Sequence, residues 1–129
     1  MPKIKVHKSF QFAFSGLKEI LSSERHFQIH LLFAILVIFF ALYLKVERAE
    51  LIFLILAIGL VLISEIVNTA FELFLDVFFP RSGRNRVQIL AAKIIKDMIA
   101  GAVLIAVLIA VIVGLLIFIP HLLNLILAS

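Results

Sequence analysis

Ser64-Glu65-Ile66-Val67-Asn68-Thr69-Ala70-Phe71-Glu72-Leu73-Phe74-Leu75-Asp76 follows directly on an unbroken apolar run, Leu51 to Ile63. Read as one continuous helix at 100° per residue, it stacks Glu65, Glu72 and Asp76 within about 40° of one another, with Asn68 and Thr69 beside them. A carboxyl inside a membrane span costs about 2.5–3.5 kcal/mol on insertion scales, so such residues face the protein interior and mark functional sites. A stripe of three acids is therefore incompatible with a lipid-facing surface, and this helix is expected to carry the functional centre.

The rest of the chain supports a membrane setting. Of its 129 residues 64% are hydrophobic, and the mean hydropathy is +1.25, beyond the apolar share of a soluble domain. The length predicts a single domain, 1–129. With no cysteine, disulfides and thiolate metal sites are excluded. The net charge of +4 is carried by basic residues that flank apolar runs, a poor fit to nucleic acid. No compact signal-peptide core precedes the first long apolar run, so the N-terminal segment is expected to be retained.

The hydropathy pattern predicts an all-α membrane protein with four helical pieces. Over residues 4–22, Val6, Phe10, Ala13, Phe14, Leu17, Ile20 and Leu21 share one face, while Lys8, Gln11, Ser15, Lys18 and Glu19 occupy the rest. That is the pattern of an interfacial amphipathic helix; its alternative is a helix packed on the bundle. Three apolar segments, 27–44, 51–75 and 98–119, are long enough to cross a bilayer. Pro120 is expected to end the third, and Val87 to Asp97 to close the basic loop Pro80–Arg86 as a separate amphipathic stretch. Gly59, Gly101 and Gly114 are expected to allow close helix approach.

Lysine and arginine counts set the expected orientation. Lys3, Lys5, Lys8, Lys18 and Arg25 precede the first span, and Arg81, Arg84, Arg86, Lys93 and Lys96 follow the second. The first connector carries only Lys45 and Arg48, and the C-terminal tail neither residue type. A cytoplasmic N-terminus in the cell membrane follows, with the basic loop on the cytoplasmic side.

Depth divides the acids by task. Glu65 lies roughly 7 Å inside the hydrocarbon and Glu72 about 10 Å further along the helix, near the headgroups. Two carboxylates so far apart do not readily chelate one ion together. Glu65, taken out of water, suits a general base; Glu72, near water, suits a hard divalent cation that arrives with phosphates. Asn68 between them can donate to a phosphate oxygen or orient a carboxylate. Glu24 opens the first span, and Lys96-Asp97, with Lys93 nearby, opens the third. Carboxylates and lysines at one depth suggest phosphate and magnesium handling. No Gly-x-x-x-x-Gly-Lys-Ser/Thr is present, so a nucleotide site must be assembled from helix ends.

Glu65-Ile-Val-Asn68-Thr-Ala-Phe-Glu72-Leu, with Ala92-Lys93-Ile-Ile-Lys96-Asp97-Met-Ile-Ala100-Gly101-Ala-Val-Leu, Phe14-Ser-Gly16-Leu and Ser23-Glu24-Arg-His-Phe27, resembles the signature of the prokaryotic diacylglycerol kinase and undecaprenol kinase family. The likeness covers nearly the whole chain. It implies a homotrimeric integral membrane kinase with active sites shared between subunits, moving the γ-phosphoryl of ATP to a lipid alcohol, undecaprenol ahead of diacylglycerol. On the matching positions it implies Glu65 as the catalytic base, and Glu24 and Glu72 as magnesium ligands. It also implies Asn68, Lys96 and Asp97 as ATP phosphate contacts, and Glu65, Ala100 and Gly101 beside the lipid. Lys5 and Lys8 stand where a basic N-terminal nucleotide contact is expected. The chain departs from the undecaprenol-type pattern at His26 and Gln28.

Other readings stand beside these. Glu65 can be a structural acid paired with Lys96; Asp76 reads as an interfacial cap or partner of Arg81; Arg81, Arg84 and Arg86 read mainly as topology determinants; His26 and His30 read as packing residues. The alternative function is a channel or transporter subunit whose acids line an ion path. Leu51 to Ile63 and Met98 to Ile119 offer almost no polar group for such a path.

Overall fold

The computed structural model describes residues 5–129 as four helices: α1 (Val6–Ser23), α2 (Arg25–Tyr43), α3 (Arg48–Phe78) and α4 (Arg86–Leu127). Ile4, where the first helix is expected to begin, lies outside the described residues. The last three helices are each long and apolar enough to cross a membrane.

Local chemistry explains where α2, α3 and α4 stop and start. At the end of α2, Val46 N–H donates to Ala41 and Lys45 N–H to Leu42, both at 3.2 Å. This is a Schellman closure, which demands a left-handed residue. Lys45 fills that position at φ 53°. A reciprocal capping box opens α3, where Glu50 Oε2 accepts from Glu47 N–H at 2.9 Å while Glu47 caps the first turn. Asn85 and Gln88 form the equivalent box at the start of α4, so two orphan N–H groups are satisfied at each entry.

Packing follows a seven-residue rhythm. α2 buries Phe27, Ala34 and Ala41, and α3 buries Leu54, Ala57, Val61 and Glu65. Both sets fall at the i, i+3, i+4, i+7 spacings of one helix face. Ala41 and Leu54 meet Ile117 of α4 in the tightest cluster, edged by Val37, Val46, Leu51, Val113 and Phe118. The ring of Phe118 also stands 5.3 Å from that of Phe40. The small residues that let helices approach are therefore alanines. A Cβ added at Gly59 or Gly101 meets nothing within 4 Å, and at Gly114 only the Phe118 ring at 4.0 Å. Close approach through these glycines, expected from the sequence, is not found within the chain.

Two further expectations are corrected. Pro120 does not end the last helix, which runs through it to Leu127. Proline removes one N–H donor but is tolerated in apolar helices when neighbouring groups hold the segment. Here His121 Nε2, next to the proline, lies 2.8 Å from Glu50 Oε2 on α3. Nor is Val87–Asp97 a separate stretch; it forms the first turns of α4. At 1.5 Å per residue α4 is about 63 Å long, about twice the hydrocarbon thickness, so its first turns extend beyond the apolar span and carry the polar residues there.

Helix α1 buries only Ile20, while Val6, Phe10, Phe12, Phe14, Leu17 and Leu21 remain exposed. Its apolar face is thus not spent on the rest of the chain.

Candidate functional site

Glu65 is the one buried charged residue among the described residues. Its position follows from the α3 seam: four residues after Val61, it points where Leu54, Ala57 and Val61 point. Opposite stands His30, one turn after Phe27 and one turn before Ala34 on the packing face of α2. His30 Nε2 lies 3.1 Å from Glu65 Oε1, with the Glu65 side chain 8% exposed and the His30 side chain 28% exposed. His30 is thus a partner of the central carboxylate, and the pairing of Glu65 with Lys96 is not formed.

Lys96 binds Asp76 instead, Nζ to Oδ1 at 3.0 Å, across the α3–α4 hairpin. That bond, with lesser help from Arg81 and Arg84, holds the Asp76 carboxyl below its ordinary range. Asp76 is therefore tied first to Lys96 rather than to Arg81. Asp97 accepts from Lys93 Nζ at 2.6 Å, one turn earlier on α4, which holds the Lys93 ammonium above its ordinary value. Both pairs lie beyond the apolar spans.

Asn68 Nδ2 donates to Glu72 Oε1 at 3.3 Å, while Asn68 Oδ1 is buried with no partner. The free oxygen can ligate a cation or accept from a hydroxyl, and the second N–H of the amide remains able to donate to a phosphate oxygen. Glu72 is exposed. Glu24 is half-buried at the α1–α2 junction, where its N–H donates to Ile20 and its carbonyl accepts from Gln28. Among the described residues no group of three His, Cys, Asp or Glu gathers to hold a metal. The structure thus joins Asn68 to Glu72 but does not assemble a closed metal cage around Glu24 and Glu72. Lys5 and Lys8 are exposed at the start of α1. Ala100 and Gly101 sit one turn beyond Lys96 and Asp97, the first exposed and the second half-buried.

Two cavities adjoin these residues. A basic one of about 360 Å³ is lined by Arg81, Arg84, Lys93, Lys96 and Asp97 with Ile89 and Ala92. Arg84 reaches it because Gly83, at φ +94°, turns the loop back over α3. Its guanidinium donates to the Leu75 carbonyl at 2.9 Å, a favourable place for a cation at a helix C-terminus, and its Nε is buried without a partner. The other cavity, about 480 Å³, runs between α2, α3 and α4 from His30 past Ala34, Ala57 and Val111 to Phe118, and His30 is its sole ionisable lining residue. Sequence reasoning read His30 as a packing residue and Arg84 mainly as a topology determinant, and did not foresee the contacts they make here. The signal for His30 was its spacing from Phe27 and Ala34, which needs the α2 packing face to be known first.

Comparison with known proteins matches the sequence to a family. The family model for prokaryotic diacylglycerol kinase matches residues 11–118. A diacylglycerol kinase of Synechocystis is 38% identical over 117 residues, 91% of this chain and 64% of the relative, so the chain spans just under two thirds of that protein's length. An undecaprenol kinase of Bacillus subtilis is 35% identical over 115 residues, 89% of each chain. The chain belongs to the prokaryotic diacylglycerol kinase family, whose relatives named here are lipid kinases.

Proposed function

We propose that this protein transfers the γ-phosphoryl group of ATP to the hydroxyl of a membrane lipid alcohol, with undecaprenol the favoured acceptor and diacylglycerol the next. The observation that carries the reading is a buried carboxylate, Glu65, paired with the His30 that lines an apolar cavity within the span, on the same helix as Asp76, which holds Lys96 of a basic cavity further along. A lipid alcohol needs the first environment and a nucleotide the second.

In the proposed reaction the lipid hydroxyl loses its proton to Glu65 as its oxygen bonds to the γ-phosphorus. The bond from that phosphorus to the β–γ bridging oxygen breaks, and ADP leaves with the electron pair. Phosphoryl transfer asks the protein mainly to position groups and neutralise charge, which suits a chain with few polar residues. Lys96 and Asp97 position the ATP phosphates, with Lys93, Arg81 and Arg84 adding positive charge in the same cavity. Lys5 and Lys8, at the start of α1, supply further basic contacts to the nucleotide, and Ala100 and Gly101 lie against the lipid.

The Glu72 carboxylate and the unpartnered Asn68 Oδ1 are hard oxygen donors, the type that Mg²⁺ takes. Glu72 and Glu24 would hold the ion, and its charge would stabilise the phosphoryl group in transfer. From the family resemblance, the reading includes a homotrimer in which a neighbour contributes to the site. Helix α1 then lies in the membrane interface with its exposed Phe/Leu face in lipid. The basic loop faces the cytoplasm of a cell-membrane protein, where ATP is present.

The test is incubation of the purified protein in mixed micelles with Mg²⁺ and ATP labelled at the γ-phosphate. Labelled undecaprenyl phosphate or phosphatidic acid is expected, according to the acceptor supplied. No label in any lipid alcohol, together with ion flux in proteoliposomes, would favour the channel.

A further inference from the structure

We infer that His30 is a positioning residue for the phosphoryl transfer, holding one oxygen of the Glu65 carboxylate so that the other faces the lipid hydroxyl. The inference rests on the reading of Glu65 as the base.

A carboxylate taken into an apolar helix bundle needs a partner, because an unpaired buried charge is strongly destabilising. Within the described residues the cationic candidates on α4 are already engaged, Lys96 by Asp76 and Lys93 by Asp97. His30 alone stands at ion-pair distance from Glu65, at 3.1 Å. An ionised carboxylate only accepts hydrogen bonds, so this contact favours the form of the imidazole with the proton on Nε2. The contact is made to Oε1 alone, which leaves Oε2 available.

Position gives His30 a second property. It lines the apolar cavity, as the sole ionisable group among the residues that do so. A lipid alcohol moving along that cavity towards Glu65 passes the imidazole before it reaches the carboxylate. The rotamer of Glu65 at that meeting is set by its contact with His30, and catalysis is sensitive to displacements of about 1 Å in such a base.

The packing of α2 does not itself demand histidine. Phe27, Ala34 and Ala41 already form the buried seam, and an apolar side chain of similar size would fill the same space. His30→Leu and His30→Met keep the volume and delete the donor, whereas His30→Gln keeps an N–H near the position of Nε2.

The test is steady-state kinetics of lipid phosphorylation by the full-length protein and its variants, each checked for the wild-type elution volume in detergent. His30→Leu and His30→Met are expected to lower kcat about 10- to 100-fold with KM for MgATP unchanged, and His30→Gln to recover activity to within about threefold of wild type. The double variant His30→Leu/Glu65→Gln is expected to be no slower than Glu65→Gln alone, since the imidazole acts through that carboxylate. If the apolar variants retain full activity while Glu65→Gln is inactive, the inference about His30 fails and the role of Glu65 stands. Equal damage from His30→Gln and the apolar variants also overturns it, because the donor would then not matter. An active Glu65→Gln overturns the reading on which the inference rests.

Discussion

The side-chain amide of Asn68 donates to Glu72 Oε1 at 3.3 Å, one turn apart on α3, and its own Oδ1 is buried without a partner. This pair sets an unpartnered amide oxygen beside a carboxylate, hard oxygen donors of the kind that Mg²⁺ takes. Glu72→Gln is therefore expected to raise the Mg²⁺ concentration giving half-maximal activity by about tenfold or more, at saturating lipid. An unchanged Mg²⁺ titration would remove Glu72 from the metal site.

Lys96 is held by Asp76 at 3.0 Å across the α3–α4 hairpin while it lines the basic cavity. Lys96→Met is expected to raise KM for ATP about tenfold or more, because it removes a charge from the phosphates. Asp76→Asn is expected to raise it by less, since the cation stays and loses only its tether. The Asp76 carboxyl is held below its ordinary value of 3.8. The stability it contributes is thus fully present above that value and lost as pH falls through the lower folded value. The thermal stabilities of wild type and Asp76→Asn are expected to differ slightly near neutral pH and to converge in strong acid. Convergence on the alkaline side instead would contradict the assignment.

Pro120 lies within α4, so the carbonyl of Leu116 lacks its helical donor. Pro120→Ala restores that N–H without changing the course of the helix, and is expected to stabilise the protein by about 1–3 kcal/mol. The measurement is the thermal midpoint in detergent, with C-terminal accessibility unchanged. A lower midpoint would show that the proline is needed where it stands.

The helices and the acid stripe were legible in the sequence because each rests on a local signal. Runs such as Leu51–Ile63 leave no competing period, and carboxylates at Glu65, Glu72 and Asp76 are too costly in lipid to be incidental. What escaped depends on how one helix meets another. His30 reads as packing until Phe27–Ala34–Ala41 is known to be the face of α2 that meets α3. The pairing of Lys96 with Asp76, twenty residues apart, follows only from the register of the hairpin that Gly83 and Arg84 set. Pro120 misled for a related reason: the strong local preference of proline to end helices was overridden by tertiary contact, with His121 held to Glu50 at the next residue. Glycines looked like the sites of close approach, but Ala34, Ala41, Ala57 and Ala106 are buried instead.

Whether Glu65 accepts the proton of the lipid hydroxyl is read from the rate of γ-phosphoryl transfer by Glu65→Gln. Glutamine keeps the shape of the side chain and removes the base. With the variant folded and MgATP and lipid saturating, a fall in kcat of about 10²- to 10⁴-fold is expected, the span that general-base catalysis commonly supplies. A kcat within about tenfold of wild type would mean that Glu65 is not the base.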